Sequence, residues 1–294
     1  IFGGIRHGRG GGKLMEGIYA VLDAVLPLEA LQFSFMKNAF LPILLLTPLL
    51  GLLGTMAVQQ QMAFFSDALG HSALTGIGLG IVLGLSNDLL SMLIFGVVWA
   101  IAISRIKQTG ATSADTIISV FSSTSIALGL VILARGGGFA KYSSLLIGDV
   151  LAVTQNDLIY LAVALVLGVI AWAVMYNALL FTGINASLAR SRGIPVRLTE
   201  YAFAVLLAVA VMLAIRWVGV MLINALLILP AAAGRNLARN ARQHAAISVL
   251  IALVCGIAGL LSAYYWGTSA GPAIVLYAPA CYGISLGVRS LCNR

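Results

Sequence analysis

Charge is the scarcest property of this chain. Only 9% of its 294 residues are Asp, Glu, Lys or Arg, against 61% that are hydrophobic, and the mean hydropathy is +1.05. A soluble domain of this size has no use for so much apolar surface, and that class is excluded. The apolar runs lack the alternation of barrel strands, which excludes a membrane β-barrel. Cysteine is rare as well. Cys255, Cys281 and Cys292 have no metal-type spacing and two lie in apolar runs, so neither a disulfide framework nor a thiolate site is expected, and they read as small packing residues. No G-x-x-x-x-G-K-[ST] phosphate loop is present, because Gly12-Lys13 is followed by Leu14 and has His7 where the first glycine is required. Any ATP hydrolysis linked to this chain therefore belongs to a partner. Histidine is scarce too: His7 lies near the start, His244 borders a basic loop, and only His71 falls inside an apolar run. A His-rich zinc enzyme is thereby set aside, and Ser66 and Ser72 have no general-base arrangement beyond His71.

What the chain does have is long apolar stretches, several approaching or exceeding the ~20 residues that a helix needs to cross ~30 Å of hydrocarbon. The expected fold class is all-α, a polytopic transmembrane helix bundle, with spans near 39–58, 62–84, 88–105, 115–134, 158–181, 199–215, 218–234, 245–263 and 272–289. The stretch around Arg216 and Trp217 reads either as a break within one structure or as a true loop, so the count is eight or nine. The formal charge of +8 sits in short clusters between the apolar runs, as in cytoplasmic loops, and nucleic acid is not an expected partner. With the Arg190, Arg192, Arg197 loop inside, Arg105 with Lys107, Arg235 with Arg239 and Arg242, and the tail with Arg289 and Arg294 also fall inside. Arg135, Lys141 and Arg216 fall outside.

Three segments stand apart. Residues 1–14 read as translated upstream sequence outside the fold, since Ile1 is no initiator and Gly8-Arg9-Gly10-Gly11-Gly12-Lys13-Leu14 directly precedes Met15. Residues 15–38 read as an amphipathic interfacial segment, with Ile18, Val21, Leu22, Val25 and Leu26 on one side and a stop near Pro27. Residues 39–294 form the transmembrane domain. Within it, 136–157 is too polar and glycine-rich to cross simply, and Leu145 to Leu151 is read as dipping into the outer side and returning, covered by protein.

The candidate site is Asp67 and His71, four residues apart in Phe64-Phe65-Ser66-Asp67-Ala68-Leu69-Gly70-His71-Ser72-Ala73 and so on one helix face. Ionisable groups are costly at membrane depth and usually face a cavity that serves a substrate or ion. One reading is a structural hydrogen-bonded pair that fixes helix packing. The other is a metal or proton site, in which a neutral imidazole suits zinc and other first-row divalent ions and the carboxylate adds a harder oxygen and compensating charge. Two ligands are too few for a tight cage, and a weak shell suits an ion that must be released. Gly70, Ser72, Ala73, Gly76, Gly78, Gly80 and Gly84 let this helix approach its neighbours closely, for packing alone or for a site. Asp149, Asp115 and Asn224 are possible supporting residues; each also has a plain role, as a solvated loop residue, a helix N-cap region and an interhelical hydrogen bonder. None is placed among the ligands. The loop Thr182 to Arg197 contains a short basic helix ended by Gly193 and Pro195, which suits either docking on another protein or an ordinary positive-inside loop.

The run Met62 to Gly76 resembles the second-helix signature of the ABC-3 family of metal-ion importer permeases, the zinc and manganese uptake type. Asp115 to Ser123, Gly148 to Val153, Arg190 to Val196, Asn224 to Ala233 and Gly271 to Leu276 resemble that family in the same order, so the likeness covers about residues 36–290. The resemblance implies a homodimeric permease in the cytoplasmic (inner) membrane of a prokaryote. It implies cytoplasmic ATP-binding subunits, an extracytoplasmic metal-binding protein, a second copy of the chain and the lipid bilayer as partners. By the same resemblance Asp67 and His71 map onto metal-site positions, and the loop 184–194 maps onto a coupling helix, with Ala186, Ser187, Leu188, Ala189, Arg190, Ser191, Arg192 and Gly193 meeting the ATPase. No catalytic residue and no permanently bound cofactor are implied; the divalent metal is cargo, zinc or manganese with iron as a further possibility. The expected mechanism is alternating access driven by ATP on the partner. One departure is Gln59-Gln60-Gln61, where family members often carry basic residues. An ATPase-independent channel or proton-coupled carrier would also use an intramembrane Asp and His, and remains the alternative.

Overall fold

The computed structural model describes residues 32–110, 112–135, 153 and 155–292. The segment 1–14, most of 15–38 and nearly all of the expected dip at 136–157, Asp149 included, therefore lie outside the described residues. Ten helices and no strand occur among the described residues: α1 Ser34–Gln59, α2 Phe65–Val82, α3 Asp88–Lys107, α4 Ala114–Arg135, α5 Gln155–Ile184, α6 Ala186–Ser191, α7 Val196–Val218, α8 Val220–Leu237, α9 Ala241–Trp266 and α10 Ala270–Cys292. All nine long helices overlap the expected spans, most extending them by a few residues, while α2 is shorter than the expected 62–84 at both ends and α8 begins two residues after the expected 218.

Local chemistry sets several of the ends. Asn87 caps α3 by accepting from the Leu90 N–H at 3.2 Å, and Asn240 caps α9 by accepting from Gln243 N–H at 2.8 Å. Gly267 closes α9 in the left-handed conformation at φ 63°. The ambiguity at Arg216–Trp217 is resolved one turn later than those residues. α7 continues through both to Val218, and the chain turns at Gly219, φ 80° and ψ 162°, a backbone region that only glycine adopts freely. Two helices result, which makes nine long helices among the described residues.

Eight of these nine are long and apolar enough to cross a bilayer unaided. The exception is α2, whose Ser66, Asp67, His71, Ser72 and Thr75 dilute its apolar content. α2 lies against α3 and α4, with α7 and α8 also touching it, and 13 of its 18 residues are buried. The outer helices instead present large apolar side chains outward: Val98 of α3, Val120 of α4, Val174 of α5, Leu250 of α9 and Leu276 of α10 are each at least half exposed. That is the surface hydrocarbon requires.

The helix ends sort into two faces. Lys107 at the end of α3 donates through Nζ to the Gln60 carbonyl after α1 at 3.0 Å, and Gln108 donates to Glu200 near the start of α7 at 3.1 Å. Arg289 of α10 donates to Asn236 of α8 at 3.1 Å. Arg105, Arg190, Arg192, Arg197, Arg235, Arg239 and Arg242 belong to the same set of ends, while Arg135 and Arg216 close helices at the other. The asymmetry expected from charge is thus built into one bundle.

Close approach between helices rests on glycine. A Cβ at Gly54 of α1 would collide with the Leu227 carbonyl of α8, backbone against backbone, whereas one at Gly283 of α10 would meet nothing within 4 Å. Gly54→Ala is expected to cost about 1–3 kcal/mol by forcing the two helices apart. Gly283→Ala is expected to be neutral or to add up to about 1 kcal/mol from helix propensity. Thermal unfolding of the two variants in detergent checks this, and equal midpoints would refute the contact.

Candidate metal centre

α2 starts at Phe65 after the turn that follows α1, which places Asp67 in its first turn and His71 one turn further on. The backbone N–H groups at a helix start favour a negative side chain nearby. His71 Nε2 lies 3.5 Å from Asp67 Oδ1, and the two side chains are 26% and 44% exposed. The pair is therefore neither sealed in the core nor fully open.

A third group reaches it from 157 residues away. Asn224 Nδ2 of α8 donates to Asp67 Oδ1 at 2.8 Å, while the amide oxygen of Asn224 is buried with no hydrogen-bond partner. Two glycines bring this about. Gly219 ends α7 and lets α8 set off in a new direction, and Gly70 admits Val220 of α8 into space that a Cβ would occupy. α8 thereby lies close enough for Asn224, one turn beyond Val220, to meet Asp67. The Asp67 carboxylate and the His71 imidazole form a mixed, incomplete donor set, with the Asn224 amide nitrogen bound to the carboxylate. Such a set suits a first-row divalent cation held weakly.

The other candidates divide. Asp115 stands exposed in the first turn of α4. Ser72 Oγ donates to its own helix at Leu69 O, 2.7 Å, and Ser66 Oγ is buried and unpartnered, so no serine and histidine dyad forms. Among the described residues no group of three or more His, Cys, Asp and Glu side chains converges. Asn224 is a lone amide in an apolar run, and nothing in the local sequence points from it to Asp67.

At the basic face, α6 occupies Ala186–Ser191 inside the loop 184–194. Asn185 caps it, its Oδ1 accepting from Ser187 N–H at 2.9 Å and Leu188 N–H at 3.1 Å. Ala189 is buried and anchors the helix, whereas Ser187, Leu188, Arg190, Ser191, Arg192 and Gly193 are exposed. Gly193 turns the chain at φ 76°, and the Arg192 guanidinium sits 4.6 Å over the Phe181 ring of α5. Leu188 thus stands exposed on a short helix whose end carries Arg190 and Arg192.

The ABC 3 transport family profile matches residues 32–289. The chain is 28% identical to the high-affinity zinc uptake system membrane protein ZnuB of Haemophilus influenzae, over 88% of this chain and 99% of that protein. It is also 28% identical to the manganese import system permease protein ScaB of Streptococcus parasanguinis, over 86% and 90% of the two chains. Among solved structures, PsaBC from Streptococcus pneumoniae in complex with Fab matches with a TM-score of 0.76 at 27% identity, covering 92% of this chain and 95% of that one.

Replacing Asn185 by Ala is expected to strip two N–H groups of their acceptor and to weaken α6 by about 1 kcal/mol. Amide exchange across 186–191 then rises roughly fivefold, as that energy implies, and Asn185→Asp restores protection. Unchanged exchange in Asn185→Ala would show that α6 is held by other contacts.

Proposed function

The chain belongs to the ABC 3 transport family, and from that premise we propose that it is the permease subunit of an ATP-binding cassette importer that carries zinc or manganese across the cytoplasmic membrane of a prokaryote. The observation that carries this reading is the approach of His71 Nε2 to Asp67 Oδ1 at 3.5 Å, with Asn224 Nδ2 donating to the same carboxylate oxygen, on a helix otherwise enclosed by its neighbours. The relatives named for zinc and manganese systems support the cargo class.

Asp67 and His71 hold the ion, with Asn224 aiming Asp67 through its Nδ2–H. Two donors leave the shell short, so water completes it and the ion is released readily when one donor withdraws. The basic face is cytoplasmic by the positive-inside rule. There Ala186 to Gly193 engage an ATP-binding subunit, and an extracytoplasmic metal-binding protein delivers the ion at the opposite face. A second copy of the chain covers the open side of the site. ATP binding on the partner shifts the bundle between states open to one side and then the other. The chain itself is a transport component rather than an enzyme.

The test is uptake of zinc, manganese and ferrous iron by proteoliposomes that hold the assembled complex. ATP-dependent uptake of zinc or manganese is expected. Asp67→Ala and His71→Ala are expected to abolish it while the complex still assembles, and Asn224→Ala to weaken ion binding about tenfold, the scale of losing a residue that orients a ligand. Flux without ATP would instead mark a self-contained carrier, and unaffected variants would make the pair structural.

A further inference from the structure

The glutamines that depart from the family pattern occupy the joint between the two functional pieces. Gln60 Nε2 donates to the Leu179 carbonyl at 2.8 Å and Gln59 Nε2 reaches the Leu180 carbonyl at 3.4 Å, both at the end of α5. These bonds link positions 119 and 121 residues apart. Gln60 is only 7% exposed. Gly183, two residues before the cap of α6, lies so close that a Cβ there would stand 2.8 Å from Gln59 Cγ.

On one side of this joint is α6. Its main packing is against α5 and α7, and Arg192 over Phe181 ties its end back to α5. A push on α6 is therefore delivered largely to the end of α5. On the other side is the turn into α2, which is short and stiff. Gln60 N–H donates to Met56 O at 2.8 Å, Met62 N–H to Ala57 O at 2.8 Å and Phe65 N–H to Met62 O at 3.1 Å. Met62 is buried, and Gln61 adopts φ 56°, which a non-glycine residue takes only where the surroundings impose it. Lys107 holds the Gln60 carbonyl from α3. Asp67 follows Gln60 by seven residues.

We propose that Gln59 and Gln60 are positioning residues that transmit displacement of α6, through the end of α5, to α2 and its Asp67 and His71. The proposal rests on α6 being the contact with the ATPase. Their amide N–H groups grip backbone carbonyls of α5, and at Gln60 the bond is buried, where water does not compete for it, while Gln59 makes a longer, partly exposed bond beside it. A basic side chain at the same place would carry a charge out to solvent or lipid headgroups; the neutral amide turns inward.

The experiment uses the whole complex in proteoliposomes with Gln60→Met, which keeps the side-chain length and removes the donor, and Gln59→Met. Gly183→Ala serves as a second route, since it presses on Gln59 from α5 while sparing both glutamines. Three quantities are read together: ATP hydrolysed, ions moved per ATP, and ion binding at rest. Expected are near-normal hydrolysis and unchanged resting ion binding, with at least a fivefold drop in ions moved per ATP. A parallel fall in hydrolysis and transport would reduce the joint to a structural brace, and wild-type ion-to-ATP ratios in all three variants would overturn the proposal. A wild-type complex with no ATP-dependent uptake would instead defeat the permease reading itself.

Discussion

A helix that carries a carboxylate and an imidazole cannot face hydrocarbon, and much of this bundle follows from covering one. Charged groups cost several kcal/mol in the bilayer centre unless they meet protein, water or a partner. α2 carries Asp67 and His71 with Ser66, Ser72 and Thr75 around them, and it is the long helix that fails to qualify as a membrane span on composition. Its neighbours supply what lipid would not. α3 and α4 flank it, Thr75 donates its hydroxyl to the Ser125 carbonyl of α4, and Asn224 donates to Asp67. The apolar burden then falls on the outward faces of α3, α4, α5, α9 and α10, which need no polar complement.

Glycine makes this covering possible, because interhelical approach in membranes depends on small residues where no hydrophobic force between helices operates. Gly129 of α4 sits against the Thr75 backbone, Gly76 against Met92 of α3, and Gly70 against Val220 of α8. Each brings a backbone close to α2. At Gly70 the consequence is chemical as well as steric, since the spacing that admits Val220 also decides that Asn224 and Asp67 can share a hydrogen bond.

The spans were legible in the sequence because an apolar run of ~20 residues has one stable use in a bilayer. Asp67 and His71 were legible for the converse reason, as the conspicuous exceptions within such a run. Other features were not. Arg216 and Trp217 suggested a break by their polarity, yet Trp217 is buried within α7 and the turn occurs at Gly219. One glycine among 32 carries no mark of a positive φ. The bond from Asn224 to Asp67 depends on how two distant helices cross, which is a property of the packed bundle and of no local pattern. The grip of Gln59 and Gln60 on α5 is hidden in the same way; three consecutive glutamines read as a polar loop until the partner carbonyls are seen.

The half-exposure of Asp67 and His71 carries a last consequence. Side chains that stand 44% and 26% exposed are tolerable at a membrane surface, but α2 runs inside the bundle and its first turn follows a buried Met62. Hydrocarbon is a costly medium for a carboxylate. The alternatives are water in a cleft or another protein surface that leaves room for water, and either keeps the pair hydrated in part. On the proposed reading of the pair as a transient ion site, partial hydration gives enough burial that Asp67 and His71 hold a fixed geometry and enough water that an ion exchanges part of its shell without losing all of it. A fully buried pair would either bind too tightly or reject the ion on desolvation. On that reading the incompleteness of the donor set and the partial exposure of Asp67 and His71 serve the same end.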